Sequence, residues 1–144
     1  MPSAFTVENG SVLRLGPDAP AIIDHVPAGR LALDGNRVVP IGGETVRGRI
    51  RAMWNGFAVL SVPLEADGRV GDIPVSTSGL FDDEDDPVLD TVRLAVREAL
   101  AKLSAKALRD DELVAETARI AARRAFREAL DKRPVTRIHL IRTN

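Results

Sequence analysis

The chain of 144 residues has room for one ordinary domain, or for one small domain with an appendage. Its formal net charge of −1 excludes a global field that would attract nucleic acid or an acidic membrane, so any basic binding site has to be local. The absence of cysteine excludes disulfides and zinc–thiolate sites, and without a recognisable signal sequence or a long apolar run we expect a cytoplasmic protein with no membrane partner.

Residues 1–40 contain short strand-like runs separated by turns rich in glycine and proline. Within residues 5–15, the dipeptide Asn9-Gly10 suits a two-residue hairpin turn, so we predict a small hairpin there. A second turn is predicted at residues 34–36. These runs carry too little apolar surface to enclose a core, and we expect them to pack onto another part of the protein.

Residues 41–56 are interpreted as a linker that leads into a short irregular or helical stretch. Arg47, Arg49 and Arg51 make this segment locally basic. One interpretation is a solvated connection, and the other is contact with a phosphate backbone. The alternation of the arginines places them on one side only if the segment is extended.

Residues 57–81 give the strongest hairpin signal of the chain. The first strand is apolar on both faces, and Asp67-Gly68 lies where a tight reversal requires a positive φ. A lone hairpin is marginally stable in water, so a third strand or covering helices are needed. The returning strand is predicted from five apolar residues: Val70, Ile73, Val75, Leu80 and Phe81.

Two amphipathic helices are predicted next, over residues 87–108 and from residue 110 or 111 to about 131. The acidic run at residues 82–86 lacks the ligand spacing and central glycine of a calcium loop, and it is interpreted as a cap with Asp86 at the N-cap and Pro87 at the first helical position. The apolar stripes are Val88, Val92, Val96, Leu100, Leu103 and Ala107 in the first helix, and Val114, Ala118, Ala121, Ala122, Ala125 and Ala129 in the second.

Pro134 ends the second helix, and residues 135–142 alternate as a half-buried strand does. The order strand, strand, helix, helix, strand predicts an α+β fold, ββααβ, with a three-stranded sheet covered on one face by two helices. We therefore predict three parts: residues 1–40 with short strands, a linker over residues 41–56, and an α+β domain over residues 57–144.

No motif indicates catalysis or a bound metal. His25 and His139 each lack a second histidine at metal-ligand spacing, so no catalytic, cofactor or metal residue is assigned. Arg119, Arg123 and Arg127 recur every four residues and share one face of the second helix. They form either a solvated face partly paired with nearby glutamates, or an electrostatic contact with RNA or an acidic partner.

Several runs, in the same order, resemble the C-terminal end of ribonuclease J, a bacterial ribonuclease of the metallo-β-lactamase and β-CASP class. VENGSVLRL and VPAGRLALDG are similar to the strands that close and leave the metallo-β-lactamase core, and GFAVLSVPLEADGRV is similar to the first hairpin of the C-terminal domain. SGLF and KRPVTRIHLI resemble the SRGFVY-type run and the RRPMILPVI-type final strand of the family, with departures at Ser78 and at residues 136–139.

The resemblance implies that the chain is the non-catalytic C-terminal piece of an enzyme that degrades RNA from the 5′ end and also cuts internally. Zinc, or manganese or magnesium, is then expected in the missing catalytic core, and the piece itself is not expected to hydrolyse RNA. The piece is expected to serve homodimer assembly and the positioning of its own catalytic core, and to bind RNA weakly at most.

A large apolar sheet face that helices leave uncovered usually marks an interface, and two-fold pairing is the commonest way to bury one. The candidate interface residues are Val59, Leu60, Val62, Leu64, Ile73 and Val75. The alternative interpretation is a free-standing binding module that contacts RNA or an acidic protein through its basic second helix.

Overall fold

A computed structural model describes residue 4, residues 6–82 and residues 86–143. Phe5, from the predicted first hairpin, and residues 83–85, from the predicted acidic cap, lie outside the described residues. The chain divides into two compact units, Met1–Gly48 and Arg49–Asn144.

The first unit contains two antiparallel pairs of short strands. Strand β1 (Ser11–Arg14) pairs with β2 (Ala21–His25), and β3 (Leu31–Asp34) pairs with β4 (Arg37–Pro40). The turn predicted between β3 and β4 is confirmed, because Gly35 has a φ of 61° and starts the two-residue loop between them.

The hairpin predicted within residues 5–15 is wrong. Strand β1 follows Asn9-Gly10 as expected, but its partner is β2 and not the preceding run, of which residues 6–8 form no strand. Gly10 instead turns the chain into β1 and accepts a 2.8 Å hydrogen bond from the Val26 amide. The dipeptide marked the turn correctly, but a local turn signal does not determine which strand the next strand pairs with.

Helix α1 (Glu44–Asn55) occupies most of the segment predicted as a linker. Of the two alternatives for the stretch after the linker, irregular or helical, the helical one forms, but it is 12 residues long and none of its residues is buried. Gly56 ends the helix in the left-handed region, at a φ of 75°, and its amide donates to the Ala52 carbonyl at 2.8 Å. The carbonyl of Gly56 accepts from the Val135 amide at 3.0 Å, which fixes the start of the last strand beside it.

The sheet of the second unit has the order β6-β5-β7. Central strand β5 (Phe57–Glu65) pairs antiparallel with β6 (Val75–Ser78) and parallel with β7 (Val135–Thr143). The parallel pairing follows from the connection, since two helices carry the chain back to the end of the sheet where β5 begins. The predicted ββααβ order is confirmed, and the sequence had left open which edge the last strand joins.

The central hairpin is confirmed with a shorter returning strand than predicted. Gly68 has a φ of 90° at the reversal, and Val70 forms one bridge with Leu64. Residues 71–74 are not assigned to a strand, although the Gly71 amide donates to the Pro63 carbonyl and the Pro74 carbonyl accepts from the Ser61 amide, and regular pairing resumes at β6. Pro74 has no amide hydrogen to donate, so a regular ladder is favoured only after it.

Helix α2 (Val88–Ala101) ends seven residues before the predicted bound, and a separate 3₁₀ turn covers Ala107–Arg109. Ser104 explains the break, because its Oγ accepts from the Ala107 amide at 3.2 Å and its carbonyl accepts from the Leu108 amide at 2.9 Å. At the other end, Asp86 Oδ1 accepts from the Val88 amide at 2.8 Å as a capping side chain does, but the helix begins at Val88 with Pro87 at the N-cap, one residue later than predicted.

Helix α3 (Asp111–Leu130) confirms the second predicted helix, with Asp110 as its N-cap accepting from the Leu113 amide at 3.1 Å. Its C-cap, Asp131, has a left-handed φ of 50°. Helices α2 and α3 pack together and against the sheet. The fully buried side chains of this core are Ala58, Leu60, Val62, Leu64, Ile73, Leu89, Val92, Val96, Leu100, Val114, Ala118, Ala122 and Phe126.

Candidate functional site

The sheet of the second unit has one face in the core and one face whose side chains stay accessible to solvent. Along β5, residues at even positions are buried and residues at odd positions are half-buried. Residues directly opposite one another on neighbouring strands share a face of the sheet. The pairing of β5 with β6 and β7 therefore assigns the residues of those two strands to the same two faces. We call the accessible side the open face; its members are Phe57, Val59, Ser61, Pro63, Glu65, Ser76, Ser78, Val135, Arg137, His139, Ile141 and Thr143.

The open face is apolar along its middle and polar at its sides. Phe57, Val59 and Pro63 form a half-buried row on the central strand, and Ile141 lies opposite Pro63. Exposed serines on β6 and the exposed Arg137 and His139 on β7 flank this row. An apolar centre with a polar rim is the usual anatomy of a protein–protein interface.

The structure divides the six candidate interface residues between the two faces. Val59 lies on the open face. Leu60, Val62, Leu64 and Ile73 are buried in the core, so no partner can reach them in this fold. Val75, directly opposite Leu60, is half-buried on the core side. The sequence could not show which face of the sheet is buried, because β5 is largely apolar on both faces. Helices α2 and α3 cover one of them.

The predicted arginine face of α3 is present, but its arginines differ in their surroundings. Arg119 forms two hydrogen bonds with Glu116, one of them at 2.7 Å. Arg123 and Arg127 lie one helical turn apart on the side of the helix opposite the core residues Val114 and Ala118. Neither donates a side-chain hydrogen bond to any described residue, so their donors remain available to a ligand.

Ion pairing on α3 is reflected in the pKa values of three side chains. Hydrogen bonds from Arg119 hold the pKa of Glu116 below its usual value, and the charges of Arg119 and Arg123 add to this effect. The same hydrogen bonds raise the pKa of Arg119. A 2.8 Å hydrogen bond to Glu128 likewise raises the pKa of Arg124. Glu116 and Glu128 therefore each partly neutralise one arginine.

A shallow open groove of about 310 Å³ lies on this outer side of α3. Its lining residues, which we call the arginine groove, are Ile120, Arg123, Arg124, Arg127 and Arg133. Among the residues that the structure describes, no carboxylate lines it. The spacing of four along the helix predicted two of these arginines, but Arg133 follows the left-handed Asp131 and lies beyond the helix, so helical periodicity alone could not place it there.

Arg47, Arg49 and Arg51 lie on helix α1 and not on an extended segment. Successive residues of a helix are separated by about 100°, so Arg49 points away from the side shared by Arg47 and Arg51. Arg47 forms a 3.8 Å ion pair with Glu44, and Arg49 and Arg51 also have interacting partners. The helix therefore does not present these arginines as one row.

The described residues contain neither a metal-binding cluster nor a membrane-spanning helix. No group of three or more histidine, aspartate or glutamate side chains in the described ranges is arranged to hold a metal ion. None of the helices in those ranges is long and apolar enough to cross a membrane.

Comparison with known proteins links this architecture to one family. A curated protein named "Ribonuclease J" from Sinorhizobium meliloti (strain Sm2011 / Rm2011 / 2011) is 29% identical over 143 residues, which cover 97% of this chain and 25% of the relative. The chain thus spans about a quarter of the length of the curated relative it matches. A family profile described as "Ribonuclease J C-terminal domain" matches residues 44–143, from the start of α1 to the end of β7. This match confirms the resemblance, and the chain belongs to the ribonuclease J C-terminal domain family.

Proposed function

We propose that this chain is the non-catalytic C-terminal domain of a ribonuclease J-like, RNA-degrading enzyme of the cytoplasm. In this proposal the domain joins two copies of the enzyme and positions the catalytic core. Zinc, or manganese or magnesium, belongs to that core, which corresponds to part of the three quarters of the relative that has no counterpart in this chain. The open face is the observation that carries the assembly role.

The central strand of the sheet favours self-association. Phe57, Val59 and Pro63 remain partly accessible although they occupy the middle of the sheet, where apolar side chains gain most from being covered. A second copy placing the same strip against this one about a two-fold axis removes both strips from water at once. Arg137 and His139 then lie at the rim, where charged groups keep their hydration.

The positioning role is supported by the first unit. Its strands present large apolar side chains to solvent, among them Leu31, Leu33 and Val38. Two-stranded sheets with exposed apolar residues need another layer to be stable. We propose that the catalytic core of the enzyme supplies that layer.

Val59→Lys tests the dimer directly, since it places a charge in the middle of the open face. We expect light scattering of the wild-type chain to give twice the 15.5 kDa chain mass, and the variant to give the monomer mass with an unchanged helical circular dichroism signal. Leu94→Lys is the matched control, because Leu94 is an exposed leucine on α2 away from the sheet, and it should leave the dimer intact. Leu60→Lys places the charge in the core and should unfold the domain.

A wild-type chain that remains monomeric at high concentration contradicts the dimer proposal. So does a folded Val59→Lys variant that still has the mass of a dimer.

A further inference from the structure

We propose that the arginine groove of helix α3 binds the phosphate backbone of single-stranded RNA. This binding site goes beyond the assembly role and does not depend on the dimer, because the groove and the open face are formed by different residues.

Three of the arginines around the groove have side chains that no described residue engages in a hydrogen bond. The chain as a whole has a net charge of −1, so four arginines around one groove are a local concentration of positive charge. Arg124 is hydrogen-bonded to Glu128. The side chains of Arg123, Arg127 and Arg133 have no hydrogen bond to any residue in the described ranges, and only Arg123 is close enough to a carboxylate, that of Glu116, to lower its pKa. Three guanidinium groups are therefore left for a ligand.

The side chains that line the groove favour phosphate as the ligand. Every charged residue of the groove is an arginine, whose planar fork of donors matches the oxygens of a phosphate better than the point charge of a lysine does. Arg123 and Arg127 are separated by one helical turn, a rise of about 6 Å, so they present a row of charges and not a single point. A row suits an extended polyanion.

The apolar residue in the lining favours RNA over an acidic protein. Ile120 is 55% exposed and lines the groove beside the arginines, so the groove combines an apolar side chain with guanidinium groups. Guanidinium planes and an apolar surface together provide a place for bases and sugars to stack, which single-stranded nucleic acid uses and a carboxylate-rich peptide does not. Membership of a ribonuclease family supplies the matching class of ligand.

The expected binding is weak and dependent on salt. Neutralising three phosphates of a single strand gives a slope of about −2 for log affinity against log salt concentration. Arg119 lies on the same helix but is committed to Glu116, so it should contribute less than any arginine of the groove other than Arg124.

The test measures fluorescence anisotropy of a labelled single-stranded RNA with the whole chain, over a series of salt concentrations. The groove variant carries Arg123→Gln, Arg127→Gln and Arg133→Gln. A matched control carries Lys102→Gln, Lys106→Gln and Arg109→Gln, which remove the same charge from exposed residues between α2 and α3. We expect the groove variant to lose at least tenfold in affinity and most of its salt slope, and the control to stay within about threefold of wild type.

Equal RNA affinity and equal salt slope in the groove variant and the matched control would overturn the proposal. Displacement of the RNA by poly-glutamate as readily as by unlabelled RNA of the same charge would also overturn it, in favour of an acidic protein partner. RNA binding by the Val59→Lys variant separates this proposal from the dimer, since the groove is intact in a monomer.

Discussion

The two units of the chain contain strands of similar sequence pattern, but these strands differ in how far they are buried. In the first unit, Met1–Gly48, β1 to β4 form two-stranded sheets, and none of the described residues is buried. In the second unit, Arg49–Asn144, β5 gains a neighbour on each edge and two helices on one face, and every second residue along the strand is buried. Strand formation is therefore common to both units, and core formation is confined to the second.

The difference shows what a strand needs besides its own pattern. Leu31 and Leu33 on β3 alternate with smaller residues as Leu60 and Val62 do on β5, yet the first pair is exposed and the second is buried. Apolar residues contribute to stability when a second layer removes them from water. Within the described part of the chain only α2 and α3 provide such a layer, so we expect the free energy of unfolding of this chain to reside in the second unit.

Truncating one large apolar side chain in each unit gives the strongest test of this comparison. Phe126 is 0% exposed at the centre of the core, so Phe126→Ala should lower the free energy of unfolding by about 3–5 kcal/mol, through lost burial and a residual cavity. Leu33 is 76% exposed, so Leu33→Ala should change it by less than about 0.5 kcal/mol. Urea unfolding followed by circular dichroism at 222 nm measures both values.

A loss of several kcal/mol on Leu33→Ala would mean that the first unit contributes to the cooperative core. A similarly small effect of both substitutions would mean that α3 does not hold the sheet through Phe126.

Two glycines with positive φ offer a second test, with a smaller expected effect. A Cβ added at Gly56 would lie 2.6 Å from Leu80 Cδ2, and one added at Gly10 would lie 2.5 Å from the Val26 carbonyl oxygen. Both positions are strained for alanine, at a cost of about 1–2 kcal/mol before any clash is counted. Gly56→Ala should therefore lower the free energy of unfolding in urea by about 2 kcal/mol, because Gly56 joins α1 to the sheet of the second unit.

Gly10→Ala should leave that transition within about 0.5 kcal/mol of wild type, since its strain falls on the β1–β2 pair. Its effect should appear instead as faster hydrogen exchange of the Val26 amide, which donates to the Gly10 carbonyl. Equal shifts of the urea transition by the two substitutions would show that the units unfold together.

The sequence predicted best where one periodicity covers a long segment. Helices α2 and α3 follow from apolar steps of three and four residues, and the capping hydrogen bonds of Asp86 and Asp110 follow from side-chain chemistry. The central reversal followed from Asp67-Gly68, because glycine is the residue that takes a positive φ without strain.

The failures share a physical cause, which is dependence on contacts distant in sequence. The partner of β1 was predicted wrongly, and the buried face of β5 and the place of Arg133 in the groove were left open; each is decided by how elements pack, and no local pattern records that. Helix α1 was underestimated for a different reason. Its sequence has apolar residues at helical spacing, Val46, Ile50, Met53 and Trp54, but Gly42-Gly43 and the neighbouring arginines favoured the interpretation as a linker.

The smallest expected effect concerns acid stability of the second unit through Glu116. Hydrogen bonds from Arg119 lower the pKa of Glu116 in the folded chain, so this carboxylate stabilises the fold above its unfolded pKa, and the stabilisation is lost as the pH falls through the lower folded value. Glu116→Gln removes this stabilisation at pH 7. At low pH the wild-type carboxyl group is protonated and no longer stabilises the fold, so the substitution removes nothing there. The variant and the wild type should therefore differ in urea midpoint at neutral pH and converge under acid conditions.

The pair is exposed, so water and salt screen it and the difference in midpoint should be small. Glu98→Gln on α2 is the control, because Glu98 has no hydrogen bond or ion pair with any described residue. The urea midpoint of this variant should equal that of the wild type at both neutral and acid pH. Since α2 and α3 both lie in the second unit, the signal at 222 nm follows the unit in which the pair resides. A difference between Glu116→Gln and wild type that persists under acid conditions would mean that the substitution acts through helix packing and not through the charge of Glu116.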